Sequence, residues 1–309
     1  RPFHAKVVRE MVLERGVLDY GLMTSLASAV RASLAERAPI LTAEERARVT
    51  SSDGTTKLLL AFAGGAVETV HIPPRDPGSP KGATLCVSTQ VGCPVACPFC
   101  ASGREGLVRN LTTHEIVEQY LRGRALGPLG RSVVMGIGEP LLNYEHLRPA
   151  LDLVHDGLGI GARKVTVSTV GFPERLHRIA PTKPRFQLAI SLHTAFQEQR
   201  DELVPAMRGT SIEDVLAAGD FWFESTGREV TYEIVLLAGV TDTSAHARAL
   251  ADRLAGRRAT VNLIPFNPVA ESGYGRPAAR DVERFQVALQ KAGLVATVRW
   301  SRGVENAAA

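Results

Sequence analysis

The sequence predicts an α/β protein: an open, partial (β/α) barrel of six parallel strands, preceded by a small N-terminal helical segment and a β-hairpin. Three observations carry this expectation. From residue 82 onward, short apolar runs alternate with amphipathic stretches of helical length. The runs read as near-continuously apolar, as in strands covered on both faces. The residues with chemical character follow the runs, where parallel α/β folds bind ligands. Six units are too few for a closed eight-stranded barrel, and a doubly wound flat sheet is the alternative.

In chain order, residues 1–50 read as helices over Ala5–Leu13, Gly21–Ala38 and Thr42–Val49, forming an accessory domain. The sequence opens at Arg1 without a methionine, so the natural N-terminus is expected further upstream. Residues 51–81 form a hairpin and linker. The runs Lys57–Phe62 and Ala66–Ile72 flank Gly64-Gly65, a turn signal, and Pro73-Pro74 with Asp76–Pro80 marks a domain boundary. Glu68 lies in the second strand. Such a residue faces solvent unless the hairpin caps a site.

Residues 82–309 form the main unit. Strands are expected at Ala83–Ser88, Ser132–Met135, Lys164–Ser168, Phe186–Ser191, Glu229–Leu236 and Thr260–Ile264, with a last one at Val295–Trp300. Helices fit between them at Thr112–Arg122, Tyr144–His155, Pro173–Ile179, Ile212–Glu224, Ser244–Leu254 and Ala279–Ala292. Thr112-Thr-His-Glu115 resembles a capping box.

The 309 residues are 45% hydrophobic and 22% charged, ordinary for a globular protein. There is no apolar run long enough to span a bilayer and no signal-peptide pattern, so no membrane partner and a cytoplasmic address are expected. Net charge is +4, and lysine occurs only at Lys6, Lys57, Lys81, Lys164, Lys183 and Lys291, so arginine dominates the 36 basic residues. Its planar fork suits phosphates and base edges, although an excess this mild is also common without nucleic acid.

All four cysteines lie in Cys86-Val-Ser-Thr-Gln-Val-Gly-Cys93-Pro-Val-Ala-Cys97-Pro-Phe-Cys100. Thiolates are soft ligands for iron–sulfur clusters, zinc and copper(I). The C-x3-C-x2-C trio can hold a four-iron cubane and leave one iron open. A closed zinc site with Cys86 as fourth ligand is the alternative, although no second C-x2-C pair accompanies it. Disulfides suit a different compartment. Other candidate residues fall on the same rim: Gly136-Ile-Gly138-Glu139-Pro140, Ser168-Thr169, Ser191-Leu192-His193 and Pro265-Phe266-Asn267-Pro268.

The trio after a first strand and Gly-Glu-Pro after a second resemble the radical S-adenosylmethionine (SAM) superfamily. Longer strings are similar to the RlmN/Cfr family of adenine methyltransferases: Cys86–Cys93, Arg109-Asn-Leu-Thr-Thr113, Val133–Asn143, Val165–Thr169, Leu188–His193, Arg200-Asp-Glu-Leu-Val-Pro205 and Asn262–Pro268. The resemblance covers nearly the whole chain, more loosely before residue 50. It implies a radical SAM partial barrel whose Cys93, Cys97 and Cys100 hold a 4Fe–4S cluster. Gly138 and Glu139 would receive the methionine amino end of SAM. Ser168, Ser191, Leu192, His193 and Asn267 would hold the rest.

The implied reaction methylates an adenine ring carbon, with carbon 2 favoured over carbon 8, in 23S rRNA and also in tRNA. It uses two SAM molecules per turnover, with flavodoxin or ferredoxin as electron donor, and the protein is expected to be a monomer. Glu68 would be the proton acceptor and Cys86 the cysteine that releases product by forming a disulfide. Arg104, Arg109, Arg257, Arg258, Arg276, Arg299 and Arg302 are candidate RNA contacts. The family's methyl-carrying cysteine follows an Arg-Gly pair by a few residues. Here Arg302-Gly303 leads to Ala309, and the next position is expected to hold that cysteine; a radical SAM enzyme of other chemistry, lacking the methyl carrier, is the alternative.

Overall fold

The computed structural model describes residues 2–76, 79–269 and 272–303. Helix α1 (Pro2–Arg9) runs into a π-helical turn (Glu10–Glu14), and α2 spans Ser28–Arg37. The chain then turns extended. Strands β1 (Glu44–Thr50), β2 (Thr56–Phe62) and β3 (Gly65–Ile72) pair antiparallel, and β3 pairs antiparallel with β4 (Ala83–Cys86). The helix expected over Thr42–Val49 is therefore corrected to strand β1. Its few apolar residues fall at helical spacing, but the unpaired edge of β2 recruits its backbone. Its exposed charged side chains suit an edge strand. The helix expected over Gly21–Ala38 shortens to α2, after a separate turn at Tyr20–Leu22 capped by Asp19.

The β2–β3 turn needs its glycine. Gly65 has φ +148°, and a Cβ there would lie 2.4 Å from the Val91 side chain. A short ribbon follows, β5 (Gln90–Gly92) with β6 (Leu107–Asn110). Helix α3 (Thr113–Leu126) opens with the expected capping box, Thr112 and Glu115 each bonding the other's backbone. The alternation continues through β7 (Leu129–Val134), α4 (Tyr144–Leu158), β8 (Val165–Thr169), α5 (Pro173–Ile179), β9 (Gln187–Ser191), α6 (Gln197–Leu203) and α7 (Ile212–Thr226). It closes with β10 (Val230–Leu236), α8 (Ser244–Leu254), β11 (Ala259–Pro265), α9 (Ala279–Lys291) and β12 (Val295–Val298).

One ten-stranded sheet results, in the order β1-β2-β3-β4-β7-β8-β9-β10-β11-β12. Each strand from β4 onward pairs parallel with the next, and the order never reverses. That separates a singly wound, barrel-like sheet from the doubly wound alternative, whose order reverses. The expected six strands become seven because β12 adds to the parallel run.

The strands are not apolar throughout. Strand β8 alternates buried and half-buried, Val165, Val167 and Thr169 against Thr166 and Ser168. The registers collect Cys86, Val133, Thr166, Ser168, Ser191, Glu233, Asn262 and Thr297 on one face. Leu85, Val134, Val167, Leu188, Ile190, Tyr232 and Leu263 lie on the other, buried in the core. Helices cover the apolar face, as right-handed crossovers require. The polar face stays open, and the hairpin extends it.

Candidate active site

The cluster loop leaves β5 and returns on β6. The Cys93 amide donates to Gly106 O (2.9 Å), and the Cys100 amide donates to Cys97 O (3.0 Å). Val95 is buried beneath the loop, and its carbonyl accepts from the Ala206 amide after α6. The Phe99 ring meets His193 edge-on at 5.0 Å. The loop is thus seated on the β9–α6 connection. All four cysteines are free and partly exposed. Burial, with the Glu139 and Cys100 charges, pushes the Cys93 thiol up to about 11 against the pull of the Val95 and Gly138 amides, and burial with Cys100 and Cys93 raises Cys97 further. The trio therefore shares one local field. Among the described residues, no three His, Cys, Asp or Glu side chains are gathered as a ligand set for a metal ion.

The segment Ser88-Thr89-Gln90 joins the site together. Ser88 Oγ donates to Glu68 O (2.7 Å) on β3 and accepts from the Ile137 amide (2.9 Å). The Gln119 side chain of α3 accepts from the Ser88 amide and donates to its carbonyl. Gln90 Oε1 accepts from the Glu139 amide (2.7 Å). This brings the Gly-Glu-Pro turn so close that Gly138, at φ +109°, has no room for a side chain: a Cβ would lie 2.8 Å from Gln90 N. The buried Glu139 carboxylate accepts from the Leu141 amide (3.0 Å), Thr169 Oγ1 (2.6 Å) and the Val170 amide (2.9 Å). Burial raises its pKa and these donors oppose the rise. A carboxylate has about four acceptor positions, so Glu139 ties the ends of β7 and β8 together and keeps one position for a cation.

Along the open face, Ser168 Oγ donates to Glu233 Oε2 (2.6 Å) and lies 3.2 Å from Ser191 Oγ. Asn262 Nδ2 meets Glu233 Oε1 at 3.3 Å. Glu233 is only 4% exposed, and nothing in the sequence singled it out. The Leu192 side chain instead points into the core, and the Leu192 and His193 amides both donate to Glu233 O. His193 sits at φ +66°, a strained conformation for a non-glycine residue. Burial, with Arg200 nearby, pushes its pKa down to about 3, so it is neutral. Asn267 Oδ1 is buried with no hydrogen-bond partner among the described residues.

The hairpin supplies the remaining candidates. Glu68 lies two residues from Val70, which pairs with Cys86, so Glu68 and Cys86 share the open face. Lys57 Nζ holds Glu68 Oε1 at 2.9 Å. Burial raises the Cys86 pKa, while Arg299 and a bond from the Met135 amide pull it down. Arg299 follows β12 on the same face, its Nη1 2.9 Å from Met135 Sδ. Cys86 therefore sits among Met135, Arg299, Glu68 and Glu233, apart from the trio.

The candidate RNA arginines divide. Arg109 binds Glu115 (2.8 Å) and Ala63 O. Arg257 pairs with Glu213 and Asp220, and with Arg258 it precedes β11, at the sheet end opposite the rim. Arg302 donates to Asp53 Oδ2 (2.9 Å), Asp53 O (2.8 Å) and Pro73 O, latching the C-terminal segment onto the hairpin. Arg276 is exposed in the connection after β11, on the rim side. Residues 304–309, which lead toward the expected methyl-carrying cysteine, lie outside the described residues.

The Radical SAM superfamily model matches residues 87–250. A protein of Rhodopirellula baltica named probable dual-specificity RNA methyltransferase RlmN is 42% identical over all of this chain and 84% of its own length. A Synechococcus protein of the same name is 41% identical, again over all of this chain and 90% of its own. The chain belongs to the RlmN family. A crystal structure of a radical SAM methyltransferase from Sphaerobacter thermophilus superposes with a TM-score of 0.93 at 39% identity, covering 99% of this chain and 91% of that one. The fold also resembles that of SuiB from Streptococcus suis, TM-score 0.54 at 15% identity over 72% of this chain and 52% of that one. The chain is thus a radical SAM RNA methyltransferase with an α/β, mostly parallel sheet. Membership implies a 4Fe–4S cluster, SAM and an RNA substrate.

The residues fit those groups. Three thiols share one loop, and Arg200 lies fully buried behind it with Nε and Nη1 unpartnered. Asn267 Oδ1 is unpartnered on the rim, and Gly138 leaves a cradle where a side chain would stand. Buried orphan donors and acceptors of this kind call for a missing partner. Among the described residues, no helix is long and apolar enough to cross a membrane.

Proposed function

We propose that the protein methylates a ring carbon of adenine, carbon 2, in 23S rRNA and in tRNA, by a methyl-cysteine and disulfide route. The observation that carries this reading is the placement of two reagents, Glu68 and Cys86, on the open face shared with Ser168, Ser191 and Glu233. A radical SAM enzyme of other chemistry does not need a paired base and thiol there.

In this reading Cys93, Cys97 and Cys100 hold the cluster, which when bound supplies one-electron cleavage of SAM to a hydrogen-abstracting carbon radical. Glu139 offers its last acceptor position to the methionine ammonium, and Asn267 with Ser168 and Ser191 binds the remainder. Neutral His193 packs without adding charge. In this reading the methyl carrier is a cysteine on the C-terminal side of the Arg302-Gly303 pair, and Arg302 ties that pair to Asp53. Two SAM molecules are used, one for the carrier and one for the radical. A protein of the flavodoxin or ferredoxin kind supplies the electron.

After the carrier's carbon joins adenine, the adduct's unpaired electron would return to the cluster that supplied the one used on SAM, and Glu68 accepts the ring proton. Lys57 Nζ, 2.9 Å from Glu68 Oε1, holds the carboxylate in place for that transfer. Cys86 then attacks the carrier sulfur as a thiolate, which burial opposes and Arg299 helps to form. The carrier C–S bond breaks, its electron pair passes to the methylene carbon, that carbon takes up a proton, and a disulfide is left. The target base must be unstacked to reach this face. Arg276 stands on the rim where RNA would approach.

The test is anaerobic turnover on a 23S rRNA fragment and a tRNA, with methyl-labelled SAM and mass spectrometry of the nucleosides. Labelled 2-methyladenosine from both RNAs is expected. Labelled 8-methyladenosine would reassign the carbon, and 5′-deoxyadenosine without labelled RNA would overturn the methylation reading.

A further inference from the structure

The side-chain amide of Gln119 fills every hydrogen-bonding position it has, out of contact with water. Gln119 on α3 is fully buried, as are Thr69 and Ser88. Its Oε1 accepts from Thr69 Oγ1 (2.9 Å) and from the Ser88 amide (2.8 Å). Its Nε2 donates to Ser88 O (2.9 Å) and to Glu115 O (3.4 Å). An amide side chain has two acceptor and two donor positions, so none is left over. A helix packed on a sheet ordinarily buries an apolar residue at such a place, since burying an amide is costly unless its bonds are made. A fully paired buried network fixes one arrangement of the elements it joins.

Three stretches with a place in the chemistry meet here. The β3–β4 pairing runs from Ile72–Thr84 to Val70–Cys86 and stops there. Continued by two residues, that register would set Glu68 opposite Ser88. The Ser88 backbone instead turns both its groups to Gln119, and the Ser88 hydroxyl donates to Glu68 O (2.7 Å). The same hydroxyl accepts from the Ile137 amide (2.9 Å), just before Gly138-Glu139. Ile137 O in turn accepts from the Thr89 and Gln90 amides (2.8 and 3.2 Å). Gln119 thus grips the residue after Glu68 and the residue two beyond Cys86, at the point where the Gly-Glu-Pro turn joins them.

We infer that Gln119 is a positioning residue for the proton-transfer step: its amide stands in for the next rung of the β3–β4 ladder and holds the Glu68 stretch in register with Cys86 and the Gly-Glu-Pro turn. This rests on the reading of Glu68 as the proton acceptor. Gln119 acts through Thr69 and Ser88. When the tie is lost, SAM is still cleaved but the base is displaced, so radical formation runs ahead of methyl transfer.

The test compares full-length wild-type protein with Gln119→Met, Gln119→Asn and Leu188→Ala, each reconstituted anaerobically with iron and sulfide. Labelled methyl in a 23S rRNA fragment is measured against the 5′-deoxyadenosine released. Loss of folded protein lowers both together, whereas a displaced base lowers their ratio. Gln119→Met, similar in length but without the amide, should lower the ratio about tenfold, as expected for one buried polar tie. Gln119→Asn, one methylene short of Ser88, should lower it too and carries the test if the Met variant does not fold. Leu188→Ala, a cavity elsewhere in the core, should leave the ratio at the wild-type value. A second arm uses metal-free protein and no RNA. Exchange of the Ser88 amide should accelerate about tenfold in the Gln119 variants, with the amides of β8 unchanged. An unchanged ratio, an equal fall in Leu188→Ala, or unchanged Ser88 exchange overturns the inference. Wild-type protein that releases 5′-deoxyadenosine without labelling RNA overturns the underlying reading of Glu68 instead, and the exchange arm still decides the tie.

Discussion

Val167, Ile190, Tyr232 and Leu263 occupy one face of the parallel strands, while their neighbours Ser168, Ser191, Glu233 and Asn262 occupy the other. The first set is buried under helices. The second forms a connected polar row. One residue of register thus separates the core from the chemistry, because side chains alternate along a strand. The apolar face holds the sheet's curvature and order. The open face can then carry a buried glutamate and a thiol without a packed partner, because a ligand is to complete it.

The comparison can be broken hardest at the loop both faces support. Cys97→Ala should abolish cluster loading and SAM cleavage together, since two thiolates do not hold the cubane; retained iron with full 5′-deoxyadenosine release would remove Cys97 as a ligand. Next in size is a cavity on the covered face. Leu188→Ala should cost about 2–5 kcal/mol in a denaturant titration, with the isolated site chemistry surviving at low temperature. A loss under about 1 kcal/mol would mean that this face is not the well-packed core.

The matching change on the open face is Glu233→Gln. It should leave the denaturation midpoint nearly unchanged and weaken SAM binding about tenfold, the scale of one charge-assisted hydrogen bond. Unchanged SAM affinity would confine Glu233 to structure. Smaller still is Lys57→Met, which frees the Glu68 carboxylate and is expected to slow turnover less than Glu68→Gln; unchanged turnover would leave Lys57 outside the mechanism.

The smallest effect belongs to the Arg302 latch. Burial works against the Asp53 charge, but bonds from Thr55 and Arg302 hold its pKa down, from an ordinary 3.8 to about 2. A depressed carboxylate contributes stability that is fully present above its unfolded pKa and lost as pH falls through the folded one. Amide exchange at Gly303, whose N–H reaches Asp53 Oδ2 at 3.3 Å, should stay slow at pH 5 and accelerate as pH drops from about 4 toward 2. Flat exchange across that range would dissolve the latch.

What the sequence revealed follows from where its signals are local. The cysteine trio, the Gly64-Gly65 turn, the Thr112 capping box and the apolar runs are each complete within a short window. Strand β1 was not legible, since Glu44-Glu45-Arg46-Ala47-Arg48 carries no strand pattern and gains one only from β2. The three- and four-residue ribbon β5–β6 is too short to show a period. Helix α6, Gln197–Leu203, is a seven-residue segment that only overlaps the matched string Arg200–Pro205. Glu233 drew no notice within the expected strand Glu229–Leu236, because its partners Ser168 and Asn262 come from other parts of the sequence. Arg302 read as an RNA contact because its partner, Asp53, lies 249 residues away. Arg200 entered only as part of a matched string, since burial cannot be read from an arginine flanked by Gln199 and Asp201.

The central claim, that an open polar face beneath a three-cysteine loop performs radical methylation of RNA, is most directly tested by trapping the covalent stage. Cys86→Ala, reconstituted anaerobically in the full-length protein, should keep its cluster, cleave SAM and accumulate a protein–RNA adduct on denaturing gels, because the releasing thiol is gone. Normal methylated RNA from that variant, with no adduct, would contradict the account.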